Sequence, residues 1–174
     1  AAAYTVVSSQ VPVTKELNGR VVAAVTAEIR PQIGGIVRKR LFTEGSAVEA
    51  GQVLYEIDPT SAQTAVSDAQ ATLASAKVAL ASARAKAARY RKLVRIEAVS
   101  AESAEEAEAA YKQAVSTVTS AEASLKSANI SLGYANVTSP IDGLIGRSSV
   151  SQGALVTANQ TTALATVQQL DPIY

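Results

Sequence analysis

Apolar residues in the middle of this chain fall seven apart. Val66, Leu73, Leu80, Ala87 and Val94 form one set, and Ala69, Ala76, Ala83 and Tyr90 follow three residues behind. The pattern breaks near Glu97-Ala98-Val99-Ser100. It resumes as Ala104, Tyr111, Val118, Leu125 and Leu132, with Ala107, Ala114, Ala121 and Ala128 as companions. A sustained seven-residue repeat predicts two helices that wrap left-handedly about a shared seam. So few residues join them that they must run antiparallel. At a rise of ~1.5 Å per residue, about 35 residues per helix makes an arm roughly 50 Å long. The seam is narrow and the rest of each helix is polar, which argues against core helices of a larger globular domain. Asp58 is placed to cap the first helix, with Pro59 at its first helical position. Gly133 stands where a C-terminal cap belongs.

On either side the pattern is that of strands. Residues 4–17 alternate weakly and are rich in Val and Thr. They predict one or two strands, with Pro12 at an edge or a strand start. Residues 20–29 predict another. Segment 28–48 then matches segment 136–156 at a constant offset of 108 residues. Ile33 pairs with Ile141, Gly35 with Gly143, Gly45 with Gly153 and Val48 with Val156. The glycines fall where short strands must turn sharply. Between the copies there is no Gly from Gly51 to Gly133 and no Pro from Pro59 to Pro140. The fold class expected is α+β, with two half-motifs of one small β-domain split by a helical arm. Such a chain reads as a connector rather than an enzyme.

Composition sharpens this picture. Among 174 residues there is one Phe and no Trp or Met, so thin sandwiches and Ala-lined helix pairs suit the chain better than a large core. There is no Cys and no His, which excludes thiol nucleophiles, disulfides, His general bases and the usual zinc sites. The net charge of +1 gives no overall field for nucleic acid or an anionic membrane. No apolar run is long enough to span a bilayer. The start at Ala1-Ala2-Ala3 and the end at Asp171-Pro172-Ile173-Tyr174 read as a processed or trimmed chain.

The two half-motifs, Ile33-Gly34-Gly35-Ile36-Val37 with Glu44-Gly45 and Ile141-Asp142-Gly143-Leu144-Ile145 with Gly153, resemble the halves of a biotinyl/lipoyl domain. In carriers of that fold a modified Lys sits on the hairpin joining the halves. Neither Tyr55-Glu56-Ile57-Asp58 nor Tyr134-Ala135-Asn136-Val137 holds a Lys, so no cofactor is expected. A lipoyl-like β-sandwich split by a long antiparallel α-helical coiled-coil hairpin resembles the periplasmic adaptors, or membrane fusion proteins. Tyr55-Glu56-Ile57-Asp58-Pro59, Thr138-Ser139-Pro140-Ile141 and Gln168-Gln169-Leu170-Asp171-Pro172-Ile173-Tyr174 look like the AcrA/MexA type. Those adaptors serve tripartite multidrug efflux pumps of the resistance-nodulation-division (RND) class.

The resemblance implies a domain plan. Residues 1–24 would be incomplete entry strands of membrane-proximal and β-barrel domains, poorly ordered or unusually paired. Residues 25–57 and 134–168 would be the lipoyl-like halves and 58–133 the hairpin, with 169–174 starting a β-barrel. It also implies a non-catalytic role in the periplasm, attached to the inner membrane. The partners implied are an inner-membrane, proton-driven RND transporter, a TolC-type outer-membrane channel and further copies in a trimeric or hexameric ring. An adaptor of ATP-driven export or type I secretion is the alternative, and a biotin or lipoate carrier a more distant one.

The hairpin tip carries Arg89-Tyr90-Arg91-Lys92-Leu93 and then Ser100, which fits the adaptor pattern Arg-x3-Leu-x6-Ser. By resemblance, Arg89 would donate to carbonyls or carboxylates on the channel, Leu93 would insert as an apolar anchor and Ser100 would close the contact through its hydroxyl. A plainer reading stands beside it. Basic residues (Arg84, Lys86, Arg89, Arg91, Lys92, Arg95) end one helix, and acidic ones (Glu97, Glu102, Glu105, Glu106, Glu108) begin the next. Both placements complement helix dipoles. Ser100 would then be a helix cap, or Ser103 with Glu106 a capping box. Val78, Ile96 and Val115 flank the seam as candidates for contact between hairpins.

Overall fold

A computed structural model describes residues 2–173. Ala1 and Tyr174, the outermost residues of the first and last expected segments, lie outside the described residues. The elements run β1 (Ala23–Ile29), β2 (Gly35–Arg40), β3 (Ala47–Val48), β4 (Val53–Ile57), α1 (Thr60–Leu93), a 3₁₀ turn (Val94–Ile96), α2 (Ala101–Gly133), β5 (Asn136–Thr138), β6 (Gly143–Ile145), β7 (Leu155–Val156) and β8 (Ala165–Ile173).

The strands form two four-stranded sheets, ordered β1-β8-β6-β3 and β5-β4-β2-β7. Each sheet takes two strands from before the helices and two from after them. Neither half-motif therefore contains a complete sheet. The offset of 108 residues reappears in the backbone hydrogen bonds. Gly153 N donates to Val37 O at 2.8 Å, and Gly45 N donates to Ile145 O at 2.9 Å. Val37 N donates to Ala154 O at 2.9 Å, and Ile145 N to Ser46 O at 3.0 Å. Gly45 and Gly153 hold φ of 78° and 89°, a region open to Gly at little cost. Their repeat partners Gly35 and Gly143 are not in that region. They are small because neighbouring chain crowds them: a Cβ on Gly143 would sit 2.5 Å from Gln168 O.

Between the sheets lies a core of Ile29, Val37, Val48, Leu54, Ile57, Ile145, Val156, Leu164 and Val167, closed by Phe42 and Tyr55. Phe42 meets Tyr55 edge to face, with ring centroids 5.3 Å apart. The Tyr55 hydroxyl lies 2.7 Å from Ser148 Oγ and donates to Leu164 O at 3.0 Å. Burial pushes its pKa above the usual tyrosine value. Tyr55→Phe should cost about 1 kcal/mol, because Leu164 O keeps the Ser149 N–H and Ser148 Oγ keeps Val150 O. A raised folded-state pKa means this tyrosine's contribution is complete below about pH 10. It is lost as pH climbs through the folded value, because only the unfolded chain ionises readily. Urea melts between pH 8 and 11 should show stability falling at the alkaline end, and less steeply in Tyr55→Phe.

Antiparallel order is fixed by cross-helix ion pairs, Lys77 with Glu122 at 3.7 Å and Arg91 with Glu108 at 2.6 Å. As one residue number rises by fourteen, its partner's falls by fourteen. Every position expected on the seam is buried or half-buried. Ala76, Val118 and Ala121 form its packed centre with Leu73 and Leu80.

Several expectations need correcting. Residues 4–17 form no strand, and residues 2–22 are exposed and unpaired. Their Val-rich alternation suits a pleated surface, but a strand needs a neighbour to bond with, and these residues have none. The strand expected over 20–29 begins at Ala23, where pairing with β8 begins. β8 runs unbroken through Gln169 to Ile173 in the same sheet. Pro59 is the capping residue of α1 rather than its first helical one, at φ −83°. Asp58 Oδ1 accepts from Thr60 Oγ1 at 2.6 Å and from Thr60 N at 2.9 Å, which lowers the Asp58 pKa. Gly133 is no left-handed cap. It is the last helical residue, and Tyr134 continues in right-handed conformation with its N–H on Ile130 O. The chain then enters β5 within two residues, leaving no room for a cap loop.

Candidate functional site

The tip is built by the way α1 stops. Glu97 sits in the left-handed region, φ 56° and ψ 20°. Its N–H donates to Val94 O at 3.1 Å, and the Ala98 N–H reaches back to Leu93 O at 3.0 Å. This bond pair is the Schellman closure, which normally has Gly at the left-handed position. A glutamate there carries strain of about 1 kcal/mol. Glu97→Gly should therefore raise the stability of the helix pair by about that amount, read as a higher melting temperature of the helical circular dichroism signal.

The second helix starts on Ser100, at φ −68° and ψ 153°. Its Oγ accepts from Ser103 N at 3.1 Å and donates to Ser103 Oγ at 2.9 Å. Ser100 is thus the cap. The capping box starting at Ser103 is not formed, because Ser103 already lies inside the helix.

The three candidate residues differ in their surroundings. Arg89 is exposed and, among the described residues, forms no ion pair. Leu93 is half-buried at the end of α1. Ser100 is exposed, but its hydroxyl is engaged within its own helix start. Of the neighbouring basic residues, Arg91 binds Glu108, which holds the guanidinium pKa above its usual value. Lys86 lies over the Tyr90 ring at 5.4 Å. Arg84, Lys92 and Arg95 are exposed. The tip therefore offers free cationic donors and apolar surface, the equipment of a contact site. Two features escaped the sequence reading. A Schellman closure without Gly leaves no residue signature, so only the broken heptad marked it. Which apolar tip residue is exposed depends on that closure.

Residues 25–168 match the family model for the RND MFP, barrel-sandwich hybrid domain. The chain belongs to this RND membrane fusion protein family. It is 48% identical over 170 residues to the multidrug efflux pump subunit AcrA of Escherichia coli K12, covering 98% of this chain and 43% of the relative. It is also 48% identical to the membrane fusion protein MtrC of Neisseria gonorrhoeae, covering 98% and 41%. Among solved structures, a MacA–MexA chimera containing the Pseudomonas aeruginosa MexA α-hairpin domain aligns with a TM-score of 0.54 at 34% identity, covering 86% of this chain and 49% of that one. This membrane fusion protein chain thus spans less than half the length of the curated relatives it matches. No helix among its described residues is long and apolar enough to cross a membrane.

Proposed function

We propose that this chain is the reaching part of a non-catalytic periplasmic adaptor in a multidrug efflux pump. Residues 25–57 and 134–168 form the two halves of a lipoyl-like sandwich. Residues 58–133 form a coiled-coil hairpin that leads to a TolC-type outer-membrane channel. Residues 1–24 and 169–174 lead toward membrane-proximal and β-barrel domains, which engage an inner-membrane, proton-driven RND transporter. Copies pack side by side in a ring, trimeric or hexameric. The observation that carries this reading is the helix pair itself. A seam of single small and medium side chains keeps 34- and 33-residue helices together. They place a cationic tip roughly 50 Å from the sandwich. At that tip, Arg89, the exposed part of Leu93 and the Ser100-capped helix start face the channel.

Because the chain has no Cys, a single introduced thiol is unambiguous. Ala98 is exposed and outside the cap, so Ala98→Cys leaves the helix start intact. In cells producing the adaptor from its native gene, Ala98→Cys should crosslink to the outer-membrane channel through a bismaleimide. Ser75→Cys, exposed on the middle of α1, should not. Absence of the Ala98 crosslink in cells that still export a fluorescent dye would remove the tip-docking reading.

A further inference from the structure

We infer that Ile96, rather than Leu93, is the principal apolar anchor of the tip, and that the left-handed Glu97 is what presents it. The inference rests on the docking role proposed above and names the residue that carries it. Leu93 ends α1 half-buried, so part of its apolar surface is already used within the chain. Ser100 uses its hydroxyl on Ser103. Ile96 is different: it remains 71% exposed at the last residue of the 3₁₀ turn. A continued α-helix would have carried the chain on along the same axis. The closure on Val94 O and Leu93 O turns it back immediately after Ile96. A β-branched side chain on a tight turn has few rotamers to lose on binding, so burying it brings apolar gain at small entropic cost. Large exposed apolar side chains held on strained backbone are uncommon without a partner.

The partner that fits is a protein surface with an apolar gap bordered by carbonyl or carboxylate oxygens. The gap receives Ile96 and the oxygens accept from the unpaired Arg89. Under the proposed function this surface is the channel end. Val78 supplies an internal control, since it is 72% exposed yet lies mid-helix, far from the tip. Exposure alone therefore does not separate the two residues, but position does.

The test uses the Ala98→Cys adaptor in cells and reads crosslink yield and dye export. Ile96→Ser should reduce channel crosslinking by about tenfold or more, the loss expected for removing one buried aliphatic anchor. Ile96→Leu should restore most of it, and Val78→Ser should leave it unchanged. Equal helical dichroism in all variants would show that folding is not the cause. If Ile96→Ser crosslinks and exports like the parent, the anchor assignment falls while the docking reading stands. If the parent Ala98→Cys protein does not crosslink at all, both fall together.

Discussion

Gly143→Ala should unfold the sandwich or destabilise it by about 3 kcal/mol or more, the upper range for overpacking. The reason is where the new methyl would land. It would lie 2.5 Å from Gln168 O, 2.9 Å from Gln168 C and 3.1 Å from Val167 Cγ1. Two of those atoms belong to backbone, which cannot rotate aside as a side chain can. β8 cannot move away either. It pairs with β6 on one side and β1 on the other, and Val167 is fully buried between the sheets. The repeat partner, Gly35→Ala, meets a side-chain atom instead, Ile57 Cγ2 at 2.8 Å, and should cost less. Gly133→Ala meets nothing within 4 Å on a helical residue and should be stabilising by up to about 1 kcal/mol. Urea denaturation of the three variants should give this order. A Gly143→Ala protein as stable as the parent would mean that β6 and β8 are not packed as described.

These glycines also mark the limit of what residue patterns reveal. Four repeat glycines are visible as a set, and sharp turning explains Gly45 and Gly153. It does not explain Gly35 and Gly143, whose smallness is demanded by chain far away in sequence. The same holds for sheet order. The offset of 108 residues identifies two equivalent halves, but the strands interleave, and no local pattern states which half supplies a strand's neighbour. The helices lie at the other extreme. Their seam depends only on spacing within each helix, and each expected seam residue is buried or half-buried. Residues 4–17 misled because alternation reports a capacity for pairing, and pairing needs a second strand.

At the tip, the helix ends were legible and their contents were not. Ser100 announced itself by residue type and by the resumption of the heptad. Glu97 did not, because a left-handed glutamate contradicts residue preference and is held there by Val94 O and Leu93 O. Once that turn is known, the exposures of Leu93 and Ile96 change places in importance. Motif spacing alone could not have distinguished them.

Ala107→Glu should abolish tip docking while leaving the sandwich folded. Ala107 is 2% exposed on the seam, seven residues into the second helix from Ser100. A carboxylate cannot remain there unpaired and dry. Burial without a partner would cost several kcal/mol, so the chain takes the cheaper course of opening the seam. The opening should spread toward the tip, because that end is tied only by the short turn, whereas the other end is anchored by strands. It would separate Arg91 from Glu108 and pull Leu93, Ile96 and Ser100 out of register. Losing about 3 kcal/mol of tip order corresponds to about a hundredfold drop in the docking-competent population. Amide exchange should rise over residues 87–111 and stay slow over the buried core strands. Crosslinking from Ala98→Cys should fall in parallel. Ala109→Glu, on the exposed face of the same turn, is the matched comparison and should change neither readout. Were Ala107→Glu to keep both protection and crosslink, the seam near the tip would be looser than its burial implies, and the tip's geometry would owe little to the packing beneath it.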